Sequence, residues 1–370
     1  MARATEVIEA PEVDSLPGIP LPRERAVLVG HKDTEQELLD AYRSERLHHA
    51  WILGGPKGIG KATLAYRFAR FAIANPDRFG AAVAVARDLS VPENHPVFRQ
   101  IAQGANPNLL HLRRPWDEKG KRFKTELPVD EIRKTVSFFG TTASASAWRI
   151  CIVDAADDMN ISSANALLKI LEEPPARCLF LVLSHAPGRL LPTIRSRCRR
   201  LDMSPLSGDQ IAEGLKGLCP EDLPGSAEMA DLIRFADGSL RSALTLLSGD
   251  GLAINRGFVQ LAEQAPNVDL AALHGLADLV SARGQTDNWE SFLHIARQWL
   301  HQRMRAGAQT GTPQGAGEGD RQGLGRLVSW ADMWEKMNRA AADADALNLD
   351  RKQVVLDVFR TLSQVMRMPR

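Results

Sequence analysis

The stretch Gly55-Pro56-Lys57-Gly58-Ile59-Gly60-Lys61-Ala62-Thr63 has the residue types and spacing of a phosphate-binding loop. Glycines let backbone N–H groups converge on an anion, a following helix adds its positive end, and a lysine reaches the outer phosphates. Those parts are present. The hydroxyl that should follow the lysine and ligate magnesium is missing, because Ala62 takes its place. Thr63 lies one residue on, about 100° around the helix axis, and so points elsewhere. A second candidate is Asp154, which ends the apolar run Ile150-Cys151-Ile152-Val153. An acidic residue there would hold a nucleotide's magnesium, and a glutamate directly after it would polarise the attacking water. Here the next residue is Ala155. Losing a metal ligand and a water-positioning carboxylate should each cost orders of magnitude in rate. Hydrolysis by this chain is not expected, whereas weak binding of ATP with magnesium stays open. A third cluster, Leu191-Pro192-Thr193-Ile194-Arg195-Ser196-Arg197-Cys198-Arg199, follows an apolar run ending at Ser184. Taken alone it reads as a solvated strand edge or as an arginine presented to an anion.

Elements of defined kind must position these residues. Ala50-Trp51-Ile52-Leu53 is a short apolar run ending in glycines, and predicts a buried strand before the loop. Residues 62–74 carry Leu64, Ala65, Phe68, Ala69 and Ile73 at helical spacing. A strand over Arg149–Asp154, a helix over Ser163–Glu173 and a strand over Cys178–Ser184 follow. Continuous apolar strands separated by helices imply a parallel sheet covered on both faces, hence an α/β P-loop core. After Pro205 the strand pattern stops. The expected division is a loose N-terminal arm over 1–25, the α/β domain over 26–206, a small helical unit over 207–250 and an all-helical domain over 251–370. The last part offers helices at Leu270–Arg283, Trp289–Arg305, Leu324–Ala342 and about Asp350–Met366. A Gly-, Gln- and Thr-rich stretch at about 306–323 reads as a flexible loop.

Composition removes several classes. With 370 residues, 44% apolar and 25% charged, the chain is neither wholly disordered nor a disulfide-stapled mini-protein. No stretch approaches the roughly 18 apolar residues of a membrane span, and the N-terminus lacks a signal-peptide pattern, so a cytoplasmic protein is expected. The balance of 46 Lys+Arg against 45 Asp+Glu disfavours a basic coat for DNA. Cys151, Cys178, Cys198 and Cys219 are too dispersed for structural zinc and read as reduced, mostly buried thiols.

Asn165-Ala166-Leu167-Leu168-Lys169-Ile170-Leu171-Glu172-Glu173-Pro174-Pro175, followed by Ser196-Arg197-Cys198, resembles the clamp-loader family of AAA+ proteins. The altered P-loop and the Asp154-Ala155 pair resemble its delta-prime branch, as do His49-Ala50-Trp51 and Ala346-Leu347-Asn348-Leu349-Asp350-Arg351. The resemblance implies an AAA+ core, a helical lid and a C-terminal helical collar. It also implies a hetero-oligomer with gamma or tau and delta subunits, which places a sliding clamp on primed DNA within the replisome. Arg197 would then be an arginine finger, projecting into the ATP site of a neighbouring subunit. Ser184 matches the first sensor position and Arg241, in Gly238-Ser239-Leu240-Arg241, the second, as inherited parts of a nucleotide site. Family members often carry a four-cysteine zinc module after the P-loop helix. Residues 75–112 hold no cysteine, so no zinc is expected, and His95 and His111 alone cannot supply a tetrahedral site.

Two features stay open between a plain and a functional reading. Glu172 and Glu173 end a helix before Pro174, where acidic residues oppose the helix dipole. They are either a simple terminus or part of an interface. The most basic stretch, Arg113 to Lys124, holds Trp116 and Phe123 and suits either an exposed hairpin or contact with single-stranded DNA, with the hairpin favoured. The rival functions are a gamma- or tau-like ATPase, a P-loop kinase and a lone DNA-binding module. Ala62 and Ala155 count against the first, the Ser-Arg-Cys element and helical tail against the second, and the balanced charge against the third.

Overall fold

The structure, a computed structural model, describes residues 12–13, 15–118, 120, 122–140, 147–282, 286–310, 318–347 and 349–367. The chain divides into two compact units, Met1–Arg241 and Ser242–Arg370.

The first unit is built on strands β1 (Ala50–Gly54), β2 (Leu109–Leu112), β5 (Arg149–Val153), β6 (Cys178–Ser184) and β7 (Arg199–Asp202). They form one sheet in the order β2-β5-β6-β1-β7, and every pairing is parallel. Side chains alternate between the two faces of a strand, and the core divides accordingly. Trp51, Leu53, Ile150, Ile152, Leu179, Leu181 and Leu183 pack on one face with Leu64, Phe68 and Ala72 of the P-loop helix Lys61–Ala74. Ala50, Ile52, Cys151, Val153, Phe180 and Val182 pack on the other with Leu167 and Leu171 of the helix Ile161–Glu172. Burial on both faces is why these strands read as unbroken apolar runs. A separate hairpin pairs β3 (Trp116–Asp117) with β4 (Arg122–Phe123), in agreement with the favoured reading of the basic stretch. The order places β1 between β6 and the edge strand β7. The P-loop thus leaves the carboxyl end of a central strand, the place where open α/β sheets present their binding crevice.

Buried charge fastens the flanking elements. Glu35, on the helix Lys32–Arg43, receives Arg67 Nε at 2.8 Å and Nη2 at 2.7 Å, and Arg67 also reaches the Ala26 carbonyl. Arg70 Nη2 donates to Arg25 O at 2.7 Å, and Arg23 Nε donates to Ala102 O at 3.0 Å. The loose arm expected over 1–25 is therefore tied down at its end, because arginines of the P-loop helix need carbonyl partners when buried.

Among its described residues the second unit contains no strand; its helices include Gly251–Gln264, Leu270–Ser281, Thr286–Thr310, Glu318–Leu347 and Arg351–Arg367. Its core is aromatic: Phe258 lies 5.1 Å from Phe359 and 5.9 Å from Phe292, centroid to centroid. Of the stretch expected as a loop at about 306–323, residues 306–310 and 318–323 are helical. Helix runs to Thr310 and resumes at Glu318, and residues 311–317 lie outside the described part. Among the described residues, no helix is long and apolar enough to cross a membrane.

Candidate functional site

The P-loop has the backbone of an anion cradle, with Gly55 at φ 144°, Gly58 at φ 80° and Gly60 at φ 113°. Its start is fixed by Gly55 N donating to Ser184 O at 3.3 Å and Met203 N donating to Gly54 O at 2.7 Å. Lys61 does not reach outward. It is buried, and its Nζ donates to Gly55 O and Pro56 O, each at 2.6 Å. Burial holds its ammonium well below the lysine range, at about 8; Asp154 and Asp157 pull upward and Lys57 downward.

Ser239 and Arg241 close on the loop. Arg241 N donates to Gly58 O at 3.1 Å, and a Cβ on Gly58 would sit 2.4 Å from Ser239 Oγ and 2.5 Å from Arg241 Cβ. His31 Nε2 lies 2.8 Å from Ile59 O. Thr63 is buried in the P-loop helix, so its hydroxyl cannot replace the one missing at Ala62. Ser184, at the end of β6, is fully buried and donates to Asp157 Oδ1 at 2.9 Å. Asp157 also accepts from the backbone N–H of His185 at 2.6 Å and of Ala186 at 3.1 Å, which captures the turn after β6 on a carboxylate. Asp154 lies 3.6 Å from His111 Nε2, and His111 Nδ1 is 3.0 Å from the Tyr66 hydroxyl.

Gly55, Gly58, Gly60, Lys61, Asp154, Ser184 and Arg241 thus gather at one end of the sheet, around β1, β5 and β6. The group does not fit a firmly held magnesium nucleotide. Two of the lysine's three N–H donors go to its own loop, and Ala62 has no oxygen for the metal. Sequence reasoning missed Asp157, His31 and Ser239 here, since each acts on a residue distant in the chain. Asp157 and Ser184 are 27 positions apart.

Arg197 lies elsewhere in the domain. The single-turn helix Pro192–Arg195 starts on a proline, which suits the first helical position, and is anchored by fully buried Ile194. Arg197 N donates back to Ile194 O at 3.1 Å, so the backbone is set while the side chain leaves the core. Its Nη1 donates to Thr193 O at 3.0 Å, and its Nη2 lies 2.7 Å from Glu172 Oε1. The two side chains are 35% and 43% exposed, so the guanidinium is accessible from outside the domain. Neighbouring Arg199 stands over the Trp51 ring at 4.9 Å and pairs with Glu37 at 2.8 Å, as an ordinary edge residue of β7.

All four cysteines are unpaired. Burial pushes the Cys178 and Cys198 thiols up to about 12, so neither is a nucleophile near neutrality. Among the described residues, no group of three or more His, Cys, Asp or Glu side chains is placed to hold a metal.

The strand order, the loop after β1 and the acidic end of β5 define a P-loop domain of AAA+ type. Residues 30–207, a little under half of the chain, match the family described as DNA polymerase III, delta subunit. A delta-prime subunit of DNA polymerase III from Pseudomonas aeruginosa is 33% identical over 212 residues, 57% of this chain and 59% of its own length. The delta-prime subunit of Escherichia coli is 29% identical over 246 residues, covering 65% and 68%. A gamma subunit from Buchnera aphidicola is 28% identical over 223 residues, covering 60% and 56%. The chain thus matches little more than half the length of the Pseudomonas and Buchnera relatives, and both delta-prime and gamma names occur among its kin.

Proposed function

We propose that this chain is a delta-prime-like clamp-loader subunit: a stator that hydrolyses no ATP itself and lends Arg197 to a neighbouring ATPase subunit. On this reading its partners are gamma or tau and delta subunits. The assembly acts on a sliding clamp and primed DNA, as part of a DNA polymerase holoenzyme. The observation that carries the reading is the state of the P-loop, where Lys61 donates to Gly55 and Pro56 while Ala62 and Ala155 stand where a metal ligand and a water-positioning carboxylate are needed. Arg197 supports it from the other side, because it is accessible and its planar guanidinium stays charged and can bridge phosphate oxygens. Its chemical role would be to stabilise charge on the phosphoryl group transferred in the neighbour's site.

The second reading, a gamma- or tau-like subunit with its own turnover, is favoured by the gamma relative. ATPase assays separate the two. The stator reading expects an inert isolated chain and a reconstituted loader that Arg197→Ala slows by about 10³-fold or more without disassembly, the range of fingers supplied in trans. Turnover by the isolated chain, with Arg197→Ala silent in the complex, would establish the ATPase reading instead.

A further inference from the structure

We infer that Glu172 is a latch on Arg197: it parks the guanidinium on its own subunit until a neighbour's phosphate takes the carboxylate's place. The inference rests on the reading of Arg197 as a finger.

The geometry begins with the helix Ile161–Glu172. Asn160 caps its start by accepting from Ser163 N at 3.0 Å, and Pro174-Pro175 prevents its continuation. Glu172 is therefore fixed in the last turn. A carboxylate there faces the negative end of the helix dipole, which disfavours it unless a cation is at hand. Arg197 is that cation. Leu171, the residue before Glu172, and Ile194, three before Arg197, are buried in the same apolar cluster, so both backbones are held to one core.

Both terminal nitrogens of Arg197 are engaged within the subunit, Nη1 by Thr193 O and Nη2 by Glu172 Oε1. A guanidinium that clamps phosphate in bidentate fashion needs two N–H groups aimed at it. In this conformation Thr193 O and Glu172 Oε1 set the direction in which the guanidinium fork faces, so re-aiming that fork at a neighbour's phosphate exchanges the Glu172 contact. The exchange is feasible. The pair is more than one-third exposed on both sides, and exposed pairs of this kind bias a side chain by a factor of only about 2–5. A nucleotide phosphate, with more charge and more acceptor oxygens, outcompetes one carboxylate. Glu173, one position on, is exposed and has left the helix, with φ −125° and ψ 69°.

The test uses the loader reconstituted with its ATPase subunits and compares wild type, Glu172→Gln, Glu172→Asp and Arg197→Ala, singly and with Arg197→Ala added. Steady-state ATPase is measured with and without clamp and primed DNA. Glu172→Gln keeps the shape and removes the charge. It should raise the unstimulated rate roughly two- to five-fold, lower the stimulation ratio correspondingly, and have no effect in the Arg197→Ala background. Glu172→Asp should restore part of the restraint. A guanidinium 15N spectrum of the isolated subunit gives a readout independent of turnover: the Arg197 Nη signals should be slowed in wild type and averaged in Glu172→Gln. An unchanged unstimulated rate with an unchanged Arg197 spectrum overturns the latch while leaving the finger intact. A slower rate in Glu172→Gln also overturns it, since Glu172 would then be holding Arg197 in the productive pose. If Arg197→Ala itself is silent, the finger reading fails and the latch with it.

Discussion

At the scale of single residues, the informative group is Lys61. A lysine that would bind phosphate is instead buried on the carbonyls of Gly55 and Pro56, and burial holds its pKa near 8. The linkage has a definite sign. Below about pH 8 the ammonium is charged in both folded and unfolded chains, and its desolvation cost is fully present. Between about 8 and the ordinary lysine value the unfolded chain binds the proton more strongly, so stability rises with pH. Wild type and Lys61→Met should therefore diverge. The stability of wild type relative to Lys61→Met, from chemical denaturation, should increase from pH 7 to pH 10. A difference that stays constant with pH would place Lys61 in water rather than in the loop. The same residue shows what the glycine spacing leaves open, since two of the cation's three N–H donors go to the loop's own carbonyls.

The elements matter through their ends and their closest approaches. Gly58 sits at φ 80° with Ser239 and Arg241 pressing on the position a Cβ would take. Gly58→Ala should destabilise the protein by about 2 kcal/mol or more, from strain at a positive φ plus displacement of Ser239 and Arg241. Gly188→Ala, in an open turn with nothing near its Cβ position, should stay within about 0.5 kcal/mol in the same thermal unfolding experiment. Equal effects would mean that Ser239 and Arg241 do not crowd the loop at Gly58. The pair Glu35–Arg67 is a second element-level tie. Glu35→Ala leaves Arg67 buried without its carboxylate and should cost about 3 kcal/mol or more. The strands that could be read from the chain are those buried on both faces, β1, β5 and β6, whose apolar runs are unbroken. β7 left no such trace, since only Leu201 among Arg199-Arg200-Leu201-Asp202 is buried. β2 is four residues long and carries His111, and the helix Lys32–Arg43 is largely polar. The site divides in the same way. The chemistry-bearing types at Lys61, Asp154 and Arg197 were legible from local spacing. The capture of Ser184 by Asp157 and the Glu172–Arg197 pair were not, because each depends on which distant groups the fold brings within 3 Å; the inward turn of Lys61 is local, but residue types and spacing allow the side chain to face either way.

At the scale of the whole molecule, charge decides how this chain can meet a nucleic acid. With 46 Lys+Arg against 45 Asp+Glu there is no net field to hold DNA. Two arginines of the basic stretch, the one segment whose composition suited single strands, are engaged with their own domain. Arg113 pairs with Glu12, and Arg114 Nε lies 3.1 Å from Asp158 Oδ2. Trp116 meets Phe123 edge to face at 5.0 Å, as a cross-strand pair rather than a free stacking platform. Releasing either arginine to a phosphate would break an ion pair that already satisfies it. The double variant Arg113→Ala, Arg114→Ala should therefore leave the affinity of the assembled loader for primed DNA within about twofold, measured by fluorescence anisotropy across a salt series. Each phosphate contact that the pair made would instead lower the slope of log affinity against log salt by about 1. A drop of about 2 in that slope would show both arginines on the DNA and overturn the assignment of this hairpin to the scaffold. An unchanged slope leaves any DNA contact of the assembly to residues other than this pair.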